Sequence, residues 1–317
     1  MSGDANGSIE VVFCAIDFSQ TADLALENSI RLARRHQASL VLGHVVEPLP
    51  VVSYPILMVP VDAEVELREL ASARLEELAG TIRDRSDRDG QLVVETRLEQ
   101  GPPGRHLVDM AEQAGADVFV IGTRGLTGFE HLLLGSTAEY VVRRASCPVL
   151  TVHPTDLAAD APVGTVIVPT DLGPESIEAV DVFVRVFAGA ERPLVLLVFA
   201  DPTPPYIEPF QHQALERWGR PDVRKEEIDE RMAPSVARLA GAGFEVETLI
   251  LDGGPVEAVT KLAQAREVDM IVMTTYGRSV VANLLVGRTA QRIVQHAPCP
   301  VLTVHASGSR DEGDGGD

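Results

Sequence analysis

The chain has 317 residues, enough for two domains of ordinary size, and 45% hydrophobic with only 4% aromatic residues describes a globular protein with an aliphatic core. A formal charge of −20 argues against a nucleic-acid partner, because neutralising phosphates needs a basic face. Lys225 and Lys261 are the only lysines, which excludes a P-loop, whose glycines must be followed by lysine.

In chain order, residues 11–16 form an apolar run that ends at Asp17, a first strand with a carboxylate at its C-terminal end. Ser19 or Thr21 can cap the helix that follows, whose inner stripe is Ala22, Ala25, Leu26, Ser29, Ile30 and Ala33. Residues 40–46 make a second strand, and the proline-rich apolar segment 48–60 is of a kind that packs over a ligand, a subunit or its own core. A long helix is expected over 62–85 with Leu67, Leu70, Ala71, Leu75, Leu78 and Ile82 on one face. A third strand at 92–98, a helix at 105–114 and a fourth strand at 117–121 lead into the stretch GTRGLTGFEHLLLGS, residues 122–136. A helix from Ser136 and a fifth strand at 149–153 complete an alternation that predicts a parallel, doubly wound sheet.

After a linker at 154–163, the pattern repeats. The heptapeptide CPVLTVH at 147–153 recurs unchanged at 299–305, which is 152 positions on. At that offset Asp117 maps to Asp269, Gly125 to Gly277 and Gly135 to Gly287, and earlier in the chain Asp17 maps to Asp171. A period this long means tandem duplication of a domain. The expected domains are residues 1–153 and 164–306, followed by a disordered acidic tail at 307–317. The three cysteines, Cys14, Cys147 and Cys299, form no CxxC pair and suit a reducing compartment. The polar N-terminus lacks the apolar core of a signal peptide, and no apolar run is long enough to cross a bilayer. The expectation is a cytoplasmic protein with no membrane partner.

The glycines Gly122, Gly125 and Gly135 lie between a buried strand and a helix N-terminus, where backbone N–H groups and the helix dipole favour phosphate. Asp17, at the neighbouring strand end, can accept hydrogen bonds from an adenine amine or a ribose hydroxyl, and backbone groups of Val45 can clamp a base edge. Arg124 inside the loop suits either a phosphate contact or a solvated side chain. His44 reads as a core or turn residue, and His153 and His305 as surface or interface residues. No histidine pair has zinc-site spacing.

These residues together resemble the universal stress protein family in both halves: the IDFS strand end, the HV of the second strand, the G-x2-G-x9-G-[ST] loop and the CPVL strand. The resemblance implies an α/β, Rossmann-like fold, with a five-stranded parallel sheet of order 3-2-1-4-5 flanked by helices in each half. It implies ATP contacts, in the first half, by Asp17, Val45, Ile121, Gly122, Gly125, Gly135, Ser136 and Thr137. Mg2+ or Mn2+ is a further expectation, on the nucleotide's phosphates. The family's habit of dimerising through the fifth strand implies that residues 149–153 and 301–305 pair as an internal pseudo-dimer, with a homodimer as a further option. The second half departs from the motif: Gly122 becomes Thr274, Ser136 becomes Arg288, and Val45 is placed level with Phe199, while Asp171, Gly277 and Gly287 are kept. That half is expected to bind no nucleotide, with Arg288 filling the pocket against Asp171. The other reading is that Arg288 binds phosphate beside an altered base pocket.

The leading functional expectation is a nucleotide-responsive regulator of stress adaptation, with ATP in the first domain only and protein partners of unknown identity. The alternatives are a slow ATPase or autophosphorylating enzyme using Glu130 or His131, a binder of AMP or a cyclic nucleotide, and a nucleotide-free scaffold.

Overall fold

The apolar runs form parallel strands and the amphipathic stretches between them form helices in a computed structural model that describes residues 8–48, 63–86, 92–123, 134–154, 162–173, 176–189, 192–201, 221–275 and 287–305. The first half runs β1 (Val11–Ala15), α1 (Gln20–His36), β2 (Ser39–Val46), α2 (Ala63–Ser86), β3 (Val94–Gln100), α3 (Pro103–Ala114), β4 (Val118–Gly122), α4 (Ser136–Arg144) and β5 (Val149–Val152). The second half runs β6 (Thr165–Thr170), α5 (Ser176–Val186), β7 (Leu194–Asp201), α6 (Pro221–Gly241), β8 (Val246–Asp252), α7 (Pro255–Ala265), β9 (Met270–Thr274), α8 (Arg288–His296) and β10 (Val301–Val304). The chain divides into two units, residues 8–160 and the residues from 161 onward.

Each unit has its strands in the expected order, β3-β2-β1-β4-β5 in the first and β8-β7-β6-β9-β10 in the second, all parallel. The order reverses between β1 and β4, and between β6 and β9, so a crevice opens at the carboxyl ends of those strands.

Local chemistry explains the element ends. Ser19 caps α1, its Oγ accepting the Ala22 amide at 3.2 Å, which decides between the two candidate caps. The predicted inner stripe of α1 is buried throughout. Helix α3 starts two residues earlier than its apolar pattern suggests, because Pro103 suits the first helical turn, where an N–H has no partner to lose. The two repeat-related aspartates tie down strand starts. Asp117 Oδ2 accepts the Glu10 and Val11 amides at 2.8 and 3.1 Å, and Asp269 Oδ2 accepts those of Gly164 and Thr165 at 2.8 and 2.9 Å.

The cores of the halves fill the same volume differently. In the first, Phe13 stacks on Phe119 with ring centroids 4.9 Å apart, and its ring tip occupies the space over Gly43, where a Cβ would fall 2.2 Å from it. At the equivalent places in β6 and β7 the second half has Ile167 and Val198, both buried. One large side chain over glycine is exchanged for two of middling size.

The expected stripe of α2 needs correction. Leu75, Ala79 and Ile82 are buried, but Leu67 and Leu70 are exposed. The helix has 24 residues and β3 has 7, lengths of about 36 Å and about 23 Å. The helix is therefore longer than the strand by about two turns, and its N-terminal part keeps a side-chain contact with the strand's end, Gln100 Nε2 donating to Glu64 Oε2 at 3.4 Å. Residues 49–62, the aromatic segment with Tyr206, Phe210 and Trp218, most of the linker and the acidic tail lie outside the described residues.

Candidate functional site

At the end of β1 the chain makes a sharp turn. Phe18 has φ of 61°, the left-handed region, and this folds the Asp17 carboxylate back so that Oδ1 accepts the Ser19 amide at 3.0 Å. Ser19 then caps α1. No other hydrogen bond to Asp17 exists among the described residues, so its second carboxylate oxygen is available. The next strand contributes His44 and Val45. His44 Nδ1 lies 2.6 Å from the Ile16 carbonyl oxygen. A carbonyl only accepts, so Nδ1 carries the hydrogen, and His44 is the turn residue that the sequence suggests. Val45 is buried, as is Ile121 on β4.

The glycine loop leaves from Thr123 and returns at Gly135, and its two ends are joined: Gly135 N donates to the Thr123 carbonyl at 2.7 Å. A Cβ at Gly135 would sit 3.3 Å from that oxygen, a tight contact that favours glycine here. Gly122 likewise has a neighbour in the protein, since a Cβ there would lie 2.8 Å from Thr21 Cγ2 and 3.2 Å from the Thr21 backbone carbon. It lets the end of β4 approach the first turn of α1. A side chain at this position would therefore meet Thr21, whether or not a ligand is bound.

Ser136 is exposed and Thr137 half-buried in the first turn of α4, whose N-cap Gly135 offers no side-chain cap. The leading amides of this helix thus point outward without an intrahelical acceptor. Thr123 is wholly buried, and its Oγ1 has no hydrogen-bond partner among the described residues. Arg124, Gly125, Glu130 and His131 lie outside those residues, as does Gly277. Cys14, just inside the site on β1, is fully buried, and burial pushes its thiol up to about 12. A hydrogen bond with Ser29 opposes this and the Asp17 carboxylate adds to it. Among the described residues no group of three or more His, Cys, Asp or Glu is placed to hold a metal ion, and no helix is long and apolar enough to cross a membrane. His153 is buried, contrary to a surface role.

The second half builds the same turn and equips it differently. Leu172 has φ of 62°, and Asp171 Oδ1 accepts the Gly173 amide and the Ser176 hydroxyl, both at 2.9 Å. Ser176 stands where the first half has Ala22. Gly287 N donates to the Thr275 carbonyl at 2.8 Å, as Gly135 does to Thr123, but Thr275 Oγ1 is satisfied by the Val304 carbonyl at 3.3 Å. Two expectations fail here. Arg288 is exposed at the first position of α8 and pairs with neither Asp171 nor any other described residue. Phe199 is not level with Val45. The pairing Leu40↔Val94 corresponds to Val195↔Val246, and the Val46 carbonyl accepts Gly101 N as the Asp201 carbonyl accepts Gly253 N. Val45 is therefore level with Ala200, and Phe199 with His44. Between the aspartate turn and the next strand the second half has one residue more than the first, which shifts the numbering by one.

Sequence reasoning named Thr21 only as a possible cap and missed Thr123, Ser176 and Arg74, whose guanidinium carbon lies 4.3 Å from the centroid of the Phe18 ring. Only Ser176 left a signal, as a hydroxyl in place of Ala22.

Known proteins share this architecture. A universal stress protein of Mycolicibacterium smegmatis is 27% identical over 304 residues, covering 92% of this chain and 96% of its own. The solved structure of a universal stress protein from Archaeoglobus fulgidus superposes with a TM-score of 0.64 at 17% identity, covering 97% of this chain and all of that one. The model of the universal stress protein family matches residues 9–153 and 162–305, so nearly the whole described chain is accounted for twice over by one domain type. With the strand order, the aspartate turn and the closed glycine loop present in both halves, the chain belongs to the universal stress protein family, as a tandem member.

Proposed function

We propose that the first half binds one ATP at the carboxyl ends of β1 and β4, and that the protein acts in the cytoplasm as a nucleotide-responsive regulator of stress adaptation, not as a dedicated enzyme. The contrast between two equivalent aspartates carries this reading. Asp17 retains an oxygen with no partner among the described residues, where it can accept from a ribose hydroxyl or an adenine amine. Asp171 accepts a further hydrogen bond, from the Ser176 hydroxyl, on the same Oδ1 that accepts the Gly173 amide. The buried Thr123 hydroxyl, without a partner among the described residues where Thr275 has one, points the same way: an unpaired buried donor calls for an acceptor. In this reading Val45 meets the base through its backbone, next to buried Ile121. Gly125, Arg124 and the amides of Ser136 and Thr137 meet the phosphates, and Mg2+ or Mn2+ rides on the phosphates, not in a protein cage. The second half, with Thr274 in place of Gly122 and Arg288 in place of Ser136, holds no nucleotide. Pairing of the two fifth strands within one chain belongs to the same proposal.

The test is to purify the protein without added nucleotide, denature it and identify what is released, then repeat with Asp17→Ala. One ATP per chain, lost in the variant, supports the reading. Two equivalents, release of AMP or a cyclic nucleotide, or no ATP binding by calorimetry overturns it. Asp17→Ala is a better probe than any Gly122 variant, since a side chain at Gly122 strikes Thr21 whether or not ATP binds.

A further inference from the structure

The turn that carries Asp17 rests on Phe18, and a bulky side chain enters the left-handed region only at a cost. Two groups hold it there. The Arg74 guanidinium of α2 lies over the ring at 4.3 Å. The His44 ring of β2 is 4.8 Å away and tilted by 54°, fixed in turn by its hydrogen bond to the Ile16 carbonyl. The second half repeats the device with other chemistry. Leu172 has no ring, and Arg231 of α6 instead donates from Nη2 to the Leu172 carbonyl oxygen at 2.7 Å. The two arginines hold equivalent places, each just before a buried residue, Leu75 or Met232, that is followed seven positions on by buried Ile82 or Leu239.

We propose that Arg74 is a positioning residue for the Asp17 carboxylate: its cation, stacked on Phe18, fixes the left-handed turn and thereby sets the affinity of the first-half site for nucleotide. The inference rests on the reading of that site as nucleotide-binding. A stacked cation can be replaced by another cation but not by a neutral side chain of similar length. An arginine that merely packs its stem would be replaced by methionine as well as by lysine.

Two readouts on the full chain separate the possibilities. In calorimetric titration with ATP, Arg74→Met should weaken binding about two- to five-fold, the worth of an exposed cation–π contact. Arg74→Lys should restore affinity to near the unsubstituted level, and Arg74→Met should add nothing in a Phe18→Leu background, where no ring remains. Equal effects of methionine and lysine, or a full effect of Arg74→Met without the ring, overturn the inference. The second readout needs no nucleotide. The Ser19 amide, held on Asp17, should exchange with solvent about two- to five-fold faster in Arg74→Met, with lysine again protecting it. If the unsubstituted protein binds no ATP but this exchange responds as stated, the reading of the ligand fails while the role of Arg74 in fixing the turn stands. If the exchange does not respond, the inference falls whatever the ligand.

Discussion

A single carboxylate oxygen can fix the start of a strand, as Asp117 and Asp269 do for two successive amides each. Asp117→Ala or Asp269→Ala should cost about 1–3 kcal/mol, because the amides lose an acceptor that water replaces only in part. Urea unfolding measures this, and a midpoint unchanged within error would contradict the assignment. Cys14 makes a prediction of opposite character. Its thiol ionises near 9.0 when exposed and at about 12 in the fold. The folded value is raised, so the contribution to stability is fully present below pH 9 and is lost as pH rises toward 12. In that window the unfolded chain binds fewer protons, and stability falls by about 1.4 kcal/mol per pH unit for this group. Comparing Cys14→Ala with the unsubstituted chain from pH 8 to 11 isolates that slope. A thiol so buried should also resist alkylation at pH 8 in the native protein and react in urea.

Between elements, packing at the strand ends decides what the glycines are for. Gly122→Ala should drive α1 away from β4 at a cost of about 1–3 kcal/mol, and Thr21→Ala should recover part of it. A double-mutant cycle by chemical denaturation tests this, and strict additivity would sever the link. The α1 stripe was legible in the sequence from its period, the cap was narrowed to Ser19 or Thr21 by turn chemistry, and the strand order came from the family resemblance. Other features left no local trace. The periodicity of α2 marks a face but says nothing of whether a neighbour reaches Leu67 and Leu70, and that depends on the length of β3. The level of Phe199 turned on one extra residue before β7, whose position the repeat does not fix. The contact between Arg74 and Phe18 spans two strand-helix units and exists only in three dimensions.

For the chain as a whole, duplication has produced two units with one plan and unequal sites. ATP in hundredfold excess over its Kd should stabilise the unit that binds it by about 2.7 kcal/mol. Hydrogen exchange followed by peptide should then show added protection within residues 8–160 and none from residue 161 onward; equal protection in both would assign the ligand to both. The exchange of Phe13 over Gly43 for Ile167 beside Val198 bears on how such a chain reaches its native state. Near-identical repeats invite a strand to dock in the wrong sheet during refolding, a characteristic failure of tandem proteins. Here β1 in the place of β6 would press a phenyl ring into Val198, while β6 in the place of β1 would leave the hollow above Gly43 empty. The difference in bulk thus disfavours each first strand in the other half.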